Sequence, residues 1–282
     1  MDLLLFRSLW TNGFSLKAAL STPGFDGVEG PLPTKDESRE EFIRQLLDSG
    51  KPFIAEIATG GGYVPTTRSS SDHLNDFKRK AEQAVLAKPI HVTALAGCDA
   101  WPLSLSVDWL SQAIAFAEEL QVSVSFETHR SRPTFSPWAT RELLEQLPKL
   151  RLTCDFSHWC CVTERLVMNE EPDLLSLCAA RAAHVHARVG YDQGPQVPHP
   201  AAPEFSEILA AHEEWWDVIW SARARAGHAF FSMTPEFGPD GYLQCAPFTQ
   251  KPVADLDEIN LWIAQRQSAR LTSRTEPSLA AR

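Results

Sequence analysis

The sequence predicts an α/β fold, a single-domain (β/α)8 barrel of the TIM type, from three observations. Short apolar runs alternate with segments of helical spacing along almost all of the 282 residues. Eight such runs occur, at a repeat of roughly 35 residues that suits a barrel of about 250 residues with insertions. No GxGxxG follows the first run, so the competing open, doubly wound sheet lacks its dinucleotide fingerprint.

The first run, Leu3–Ser8, leads into a short helical segment at 15–21. The second, Gly27–Glu29, precedes 36–49, which carries acidic residues in its first turn. There Phe42, Ile43, Leu46 and Leu47 share one face, and Gly50 is the stop. After the third run, Phe53–Ile57, the GGG at 60–62 has no Walker Lys-Ser/Thr pair behind it and reads as a flexible turn; helical spacing resumes at 70–86. The fourth run, His91–Leu95, precedes a helix over 107–120 with Leu110, Ile114, Phe116 and Ala117. Val122–Glu127, Leu150–Asp155, Ala183–Arg188 and Ala229–Thr234 complete the strands, with helical segments at 138–147, 171–180, 204–226 and 254–266. The barrel is assigned to 1–268. The closing QSARLTSRTEPSLAAR lacks periodicity and predicts a mobile tail over 269–282.

Composition bounds the partners. A hydrophobic content of 44% is ordinary for a chain with a sizeable core. The formal net charge of −10 argues against a nucleic-acid partner, which calls for clustered Lys and Arg. It leaves room for a small substrate, because a local site can differ in sign from the global field. MDLLLFRSLW is too short in its apolar run, and Asp2 is wrongly charged, for a signal peptide; no apolar stretch has membrane-spanning length. Six cysteines without a CxxC pair read as reduced thiols of a cytoplasmic protein.

Four metal-capable residues stand at the C-terminal ends of consecutive predicted strands. Glu127 closes VSVSFE, Asp155 closes LRLTCD, His186 lies near the end of AAHVHAR, and Glu236 follows AFFSMTP. Strand side chains alternate, so Ser125 shares a face with Glu127, Thr153 with Asp155, and His184 with His186. If those faces point inward, the four residues meet at the catalytic rim of the barrel. Singly, an acidic residue at a strand end is more often a helix cap or a surface charge, and a strand His a bonded core residue. Four in phase suggest more, because three crowded carboxylates repel one another unless a divalent cation sits between them. One imidazole and three carboxylates make an oxygen-rich set that suits Mn²⁺ first, with Mg²⁺ or Co²⁺, and Zn²⁺ also accommodated.

FETH at 126–129, CDFSH at 154–158, HVHAR at 184–188 and TPEFGP at 234–239 together resemble the xylose-isomerase-like barrel superfamily, most closely its sugar phosphate isomerase/epimerase family. GFDGVEG at 24–30 is similar to that family's second-strand signature. The resemblance covers the chain except its tail. It implies a metal bound by Glu127, Asp155, His186 and Glu236, with Glu127 and Glu236 as the acid/base pair and His158 on a substrate oxygen. It also implies a role for Arg188 on a substrate hydroxyl or carboxylate, although its offset from the metal His departs from the epimerase pattern.

The chemistry stands beside the resemblance. Removing a proton next to a carbonyl gives an enediolate, whose charge a cation on the adjacent oxygens stabilises by several kcal/mol. Returning the proton to the opposite face epimerises; returning it to the neighbouring carbon isomerises; losing a β-hydroxyl dehydrates. The expected activity is therefore metal-dependent isomerisation or epimerisation of a sugar or sugar-like polyol ketone. A sugar or cyclitol dehydratase is the first alternative, followed by an AP-endonuclease-like phosphodiesterase and a noncatalytic sugar-binding barrel. Trp101 and Trp159 are candidate apolar platforms for a sugar, whereas Trp215, Trp216 and Trp220 belong on a helix outside the barrel. Glu29 is a candidate for a sugar hydroxyl or a rim salt bridge. The loop at 190–200, with Gln196 and His199 as polar candidates, is expected to cover part of the site. Such barrels often pair through their outer helices, so a homo-oligomer is a further expectation.

Overall fold

The computed structural model describes residues 1–10, 15–239 and 241–275, with side chains as far as Leu271. Eight strands, β1 (Asp2–Ser8), β2 (Gly27–Pro31), β3 (Phe53–Ala58), β4 (His91–Leu95), β5 (Val124–Glu127), β6 (Leu152–Cys154), β7 (Ala182–Ala187) and β8 (Phe230–Pro235), pair in sequence order. All pairs are parallel, and β8 bonds back to β1 to close the barrel. Closure leaves no sheet edge, and each crossover carries a helix to the outside.

The helices are α1 (Leu16–Leu20), α2 (Asp36–Ser49), α3 (Ser70–Val85), α4 (Leu103–Glu119), α5 (Pro137–Gln146), α6 (Ser157–Thr163), α7 (Pro172–Arg181), α8 (Ser206–Arg225) and α9 (Leu256–Thr275). Their ends follow local chemistry. The Ser69 and Ser136 hydroxyls accept the third N–H groups of α3 and α5, Pro137 opens α5, and Gly50 ends α2 at φ 65°, a left-handed conformation that favours glycine.

The outer core fixes the orientation of the inner face. Phe126 of β5 packs on Phe77 and Trp109, on α3 and α4, and Phe231 of β8 packs on Trp220 of α8. Their strand neighbours Ser125, Glu127, Ser232 and Thr234 therefore point inward. Trp215, Trp216 and Trp220 are buried on α8, outside the barrel, as predicted.

The barrel interior is polar yet hydrogen-bonded. Ser125 Oγ lies 2.5 Å from Thr153 Oγ1, Thr153 Oγ1 lies 3.1 Å from Thr93 Oγ1, and His91 Nε2 meets Ser125 Oγ at 2.5 Å. Hydroxyls and imidazoles thus satisfy one another where most barrels stack branched aliphatic side chains.

Four elements depart from expectation. α4 starts at Leu103 rather than 107, directly after Pro102, and the short α6 follows β6 without a periodic signal. α9 continues to Thr275 with Leu271 buried, so residues 269–275, expected in the tail, extend a helix; 276–282 lie outside the described residues. The glycine turn is pinned rather than loose: the Arg132 guanidinium donates to the carbonyls of Thr59, Gly62, Tyr63 and Gly97. Gly60 adopts φ 75°, and a Cβ there would stand 2.4 Å from the His73 ring. No disulfide joins the six cysteines, four of which are buried. Among the described residues no helix is long and apolar enough to cross a membrane.

Candidate metal centre

The C-terminal ends of β5 to β8 deliver Glu127, Asp155, His186 and Glu236 to one buried point. One potential ligand atom from each lies within 4.8 Å of those of the others. His186 Nδ1 stands 2.9 Å from Glu236 Oε2 and 3.6 Å from Glu127 Oε1. All three of these atoms are buried without a hydrogen-bond partner. Buried polar atoms in native proteins are nearly always paired, and leaving them unpaired costs about 1–3 kcal/mol each. Acceptor atoms that crowd round one imidazole nitrogen without a well-aligned hydrogen bond fit a shared cation.

Asp155 is held from behind. The Ser157 N–H and hydroxyl both donate to Asp155 Oδ1, and Arg188 donates to Asp155 Oδ2. Asp155 therefore keeps one oxygen edge for a cation while its other oxygen anchors the start of α6. The Arg188 guanidinium also lies 3.5 Å from Glu236 Oε2, 2.8 Å from His158 Nε2, and over the Tyr242 ring at 4.5 Å. It is buried and already ion-paired, so it forms a wall of the site.

Electrostatics separates the acids. Burial pushes Glu127 up to about 7, despite the nearby His186. Burial acts on Glu236 in the same sense, but Arg188 and His186 outweigh it and hold that carboxyl below the usual range. Burial raises Asp155 even beside Arg188. His129 and His158, 4.0 Å apart by ring centroids, are held neutral well below 6.5 by burial and by cationic neighbours including Arg188.

A cleft of about 490 Å³ opens over the centre. Glu127, Glu236, Glu56, His129 and Arg188 supply its polar lining, and Trp10, Tyr63 and Tyr242 its aromatic walls. Glu56, from the inner face of β3, is pushed up to about 8 by burial and then by Glu127 and Glu29.

The other candidates fall in different places. His158 is fully buried beside the centre, 3.5 Å from Asp155 and 4.0 Å from Glu127. Glu29 lies beneath the cleft, not in it: His184 Nε2 and Thr234 Oγ1 meet Glu29 Oε2 at 3.1 and 2.5 Å, and His186 Nε2 meets Oε1 at 3.0 Å. Trp101 donates to the Arg68 carbonyl and packs on His73 and Trp109, and the cavity it lines is a separate one. Trp159 is core, bonded to the Thr134 carbonyl. Gln196 ties its loop to Gly238 through both amide atoms, and His199 caps Ala201 beside Trp262. None of these last four lines the cleft, and neither does any other residue of 190–200. The cover comes instead from the loop after β8, through Gly238 and Tyr242.

Sequence reasoning missed Glu56, His129, Trp10, Tyr63 and Tyr242. Glu56 had a signal, a lone carboxylate within the apolar FIAEIA, and His129 sits two residues after Glu127 in the FETH motif. The three aromatics belong to loops without a period.

A closed (β/α)8 barrel carrying a buried cluster of three carboxylates and one imidazole at the C-terminal rim of its strands is the class that fold and geometry define. No family model and no curated protein matches the sequence at a significant level. Solved structures do match. An L-ribulose 3-epimerase superposes with a TM-score of 0.61 at 13% identity, covering 98% of this chain and 100% of its own. Endonuclease IV from Thermus thermophilus gives 0.61 at 12%, covering 98% and 100%. The IolI protein with a bound zinc atom gives 0.60 at 15%, covering 98% and 99%. A probable 3-DHS dehydratase from Bacillus anthracis is among the same neighbours. These are xylose-isomerase-like barrels, as the motifs suggested, and at such identities the likeness carries the fold alone.

Proposed function

We propose that this chain is a divalent-metal-dependent isomerase or epimerase, acting by proton transfer on a sugar or sugar-like polyol ketone. The observation that carries the proposal is the convergence of Glu127 Oε1, His186 Nδ1 and Glu236 Oε2, buried and unbonded, at the floor of the cleft. Glu127, Asp155, His186 and Glu236 are the proposed ligands, and their oxygen-rich set favours Mn²⁺ over softer ions. Bound there, the cation supplies Lewis-acid stabilisation of negative charge on adjacent substrate oxygens.

The chain's own groups do the rest. Glu127 and Glu236, which approach the centre from β5 and from the end of β8, are the acid/base pair: one takes the proton from the carbon beside the carbonyl and the other returns one. His129, neutral and lining the cleft, contacts a substrate hydroxyl with His158 packed beside it, and the aromatic walls take the C–H faces and exclude water. The net charge of −10 opposes a phosphodiester chain, which weighs against the endonuclease reading.

Dehydration is the second reading, and Glu56 is what favours it. A carboxyl held up to about 8 in the same cleft is protonated at neutral pH and could donate to a departing β-hydroxyl.

The test begins with elemental mass spectrometry of protein purified without added metal or chelator, wild type beside Asp155→Ala. About one divalent ion per chain is expected, and its loss in the variant. The loaded enzyme is then offered free ketoses and polyol ketones in D₂O. Carbon-bound deuterium in a product of otherwise unchanged composition supports isomerisation or epimerisation, whereas loss of water identifies the dehydratase. No metal in either protein, even after Mn²⁺, Co²⁺ or Zn²⁺ is offered, overturns the reading.

A further inference from the structure

Glu29 is fully buried in the barrel interior, and no Lys or Arg pairs with it among its described contacts. Its neighbours are instead two imidazoles and a hydroxyl. Thr234 Oγ1 and His184 Nε2 approach one carboxylate oxygen, at 2.5 and 3.1 Å, and His186 Nε2 approaches the other at 3.0 Å. A carboxylate only accepts, so the network places a proton on Nε2 of both histidines. His184 closes the set, because its Nδ1 then accepts from the Ser232 hydroxyl at 2.8 Å. For His186 the consequence is specific. With Nε2 held as the N–H, the neutral ring that binds a cation has its lone pair on Nδ1, and that atom is the one buried between Glu127 and Glu236.

We infer that Glu29 is a positioning residue for the metal centre: it fixes the tautomer and ring plane of His186 so that Nδ1 is presented to the cation. The inference rests on the metal reading proposed above and adds a residue outside the four ligands. The carboxylate makes the imidazole a stronger donor by drawing on its far N–H, and Thr234 and His184 hold that carboxylate in line. Geometry also explains why the group is Glu from β2. The carboxylate spans the barrel interior to β7 beneath the cleft, where a substrate does not reach it.

The test is cobalt affinity of the metal-free full chain, by competition with a chromophoric chelator and by the cobalt absorption spectrum, with folding followed by circular dichroism. Glu29→Gln keeps shape but offers His186 an uncharged partner. It is expected to fold, to bind one Co²⁺, and to bind it about 10–100-fold more weakly with an altered spectrum. Thr234→Val removes only a hydroxyl that orients Glu29 and is expected to weaken binding several-fold. Thr93→Val loses an interior hydroxyl contact of the same kind, to Thr153, and is expected to match wild type. A folded Glu29→Gln that binds Co²⁺ as tightly as wild type overturns the inference while leaving the metal reading intact. Should Glu29→Gln not fold, wild-type affinity in Thr234→Val overturns it instead. Wild type that takes up no Co²⁺ overturns the metal reading, and this inference with it.

Discussion

Strands β5 to β8 present all four candidate ligands, whereas β1 to β4 present none, although both halves have polar inner faces. The first half of the barrel works from behind and from the side. Glu29 of β2 holds His186 of β7, Thr93 of β4 meets Thr153 of β6, His91 of β4 holds Ser125 of β5, and Glu56 of β3 lines the cleft. A closed barrel makes this division available, because every inner side chain of one half faces the other across a few ångströms. Ligand atoms come from one half, and the other sets their direction and the shape of the substrate space.

The sharpest way to break that division is to replace carboxyl groups in both halves. Glu236→Gln and Glu127→Gln should each lower kcat/KM by about 10³-fold or more with the fold intact, since they remove proton-transfer groups. Glu56→Gln should cost about tenfold, mostly in KM, as expected for one hydrogen bond to a bound hydroxyl. Steady-state kinetics beside circular dichroism reads all three. A Glu56→Gln enzyme as dead as Glu236→Gln would move chemistry into the first half and favour dehydration. A fully active Glu236→Gln enzyme would remove its assigned role.

The same division explains what could be read in advance. All eight strands fall within about two residues of their predicted bounds, because alternation and apolar runs are local signals. The convergence of the four candidate ligands was legible for the same reason: four metal-capable groups, each in phase with its own strand, need only the barrel to bring them together. Glu29 was visible as a polar strand end, but its partner lies 157 residues away, and no local pattern says whether such a group faces up into a cleft or down into a core. Loop residues were harder still. The directions of Trp101, Gln196 and His199 are set by the Arg68 carbonyl, Gly238 and Trp262, and those neighbours are tertiary facts.

A second contrast lies in two buried histidines, one in each half, that take no part in the centre. Burial lowers His91 of β4 to about 3, and lowers His212 of α8 to about 4. His212 accepts the Gly190 N–H at Nε2 and donates from Nδ1 to the Ile208 carbonyl, so it pins the chain just after β7. A folded pKa below the unfolded 6.5 means the unfolded chain takes up the proton first as pH falls. Stability is therefore full above about 6.5 and declines toward pH 4, by about 3 kcal/mol at most for this one group. Urea unfolding at pH 7 and pH 4.5 should show a smaller acid loss in His212→Gln than in wild type. Equal losses would mean that the β7 half is not anchored through this imidazole.

The smallest expected effect separates cleft wall from core. Trp101 follows β4 at the C-terminal end of the strands, where sequence alone makes it a candidate sugar platform, but its indole N–H is committed to the Arg68 carbonyl at 2.8 Å and its ring to His73 and Trp109. Trp101→Phe keeps an aromatic ring and deletes that donor, so it should cost about 1 kcal/mol of stability and leave kcat/KM within about twofold. Thermal unfolding and kinetics on the same preparation read both quantities. A stable variant whose KM rises tenfold would return Trp101 to the substrate and show that the cleft extends into the neighbouring cavity. Unchanged kinetics with lowered stability would confine the β1–β4 contribution to Glu56 and the aromatic loops, which narrows the surface on which substrate choice is made.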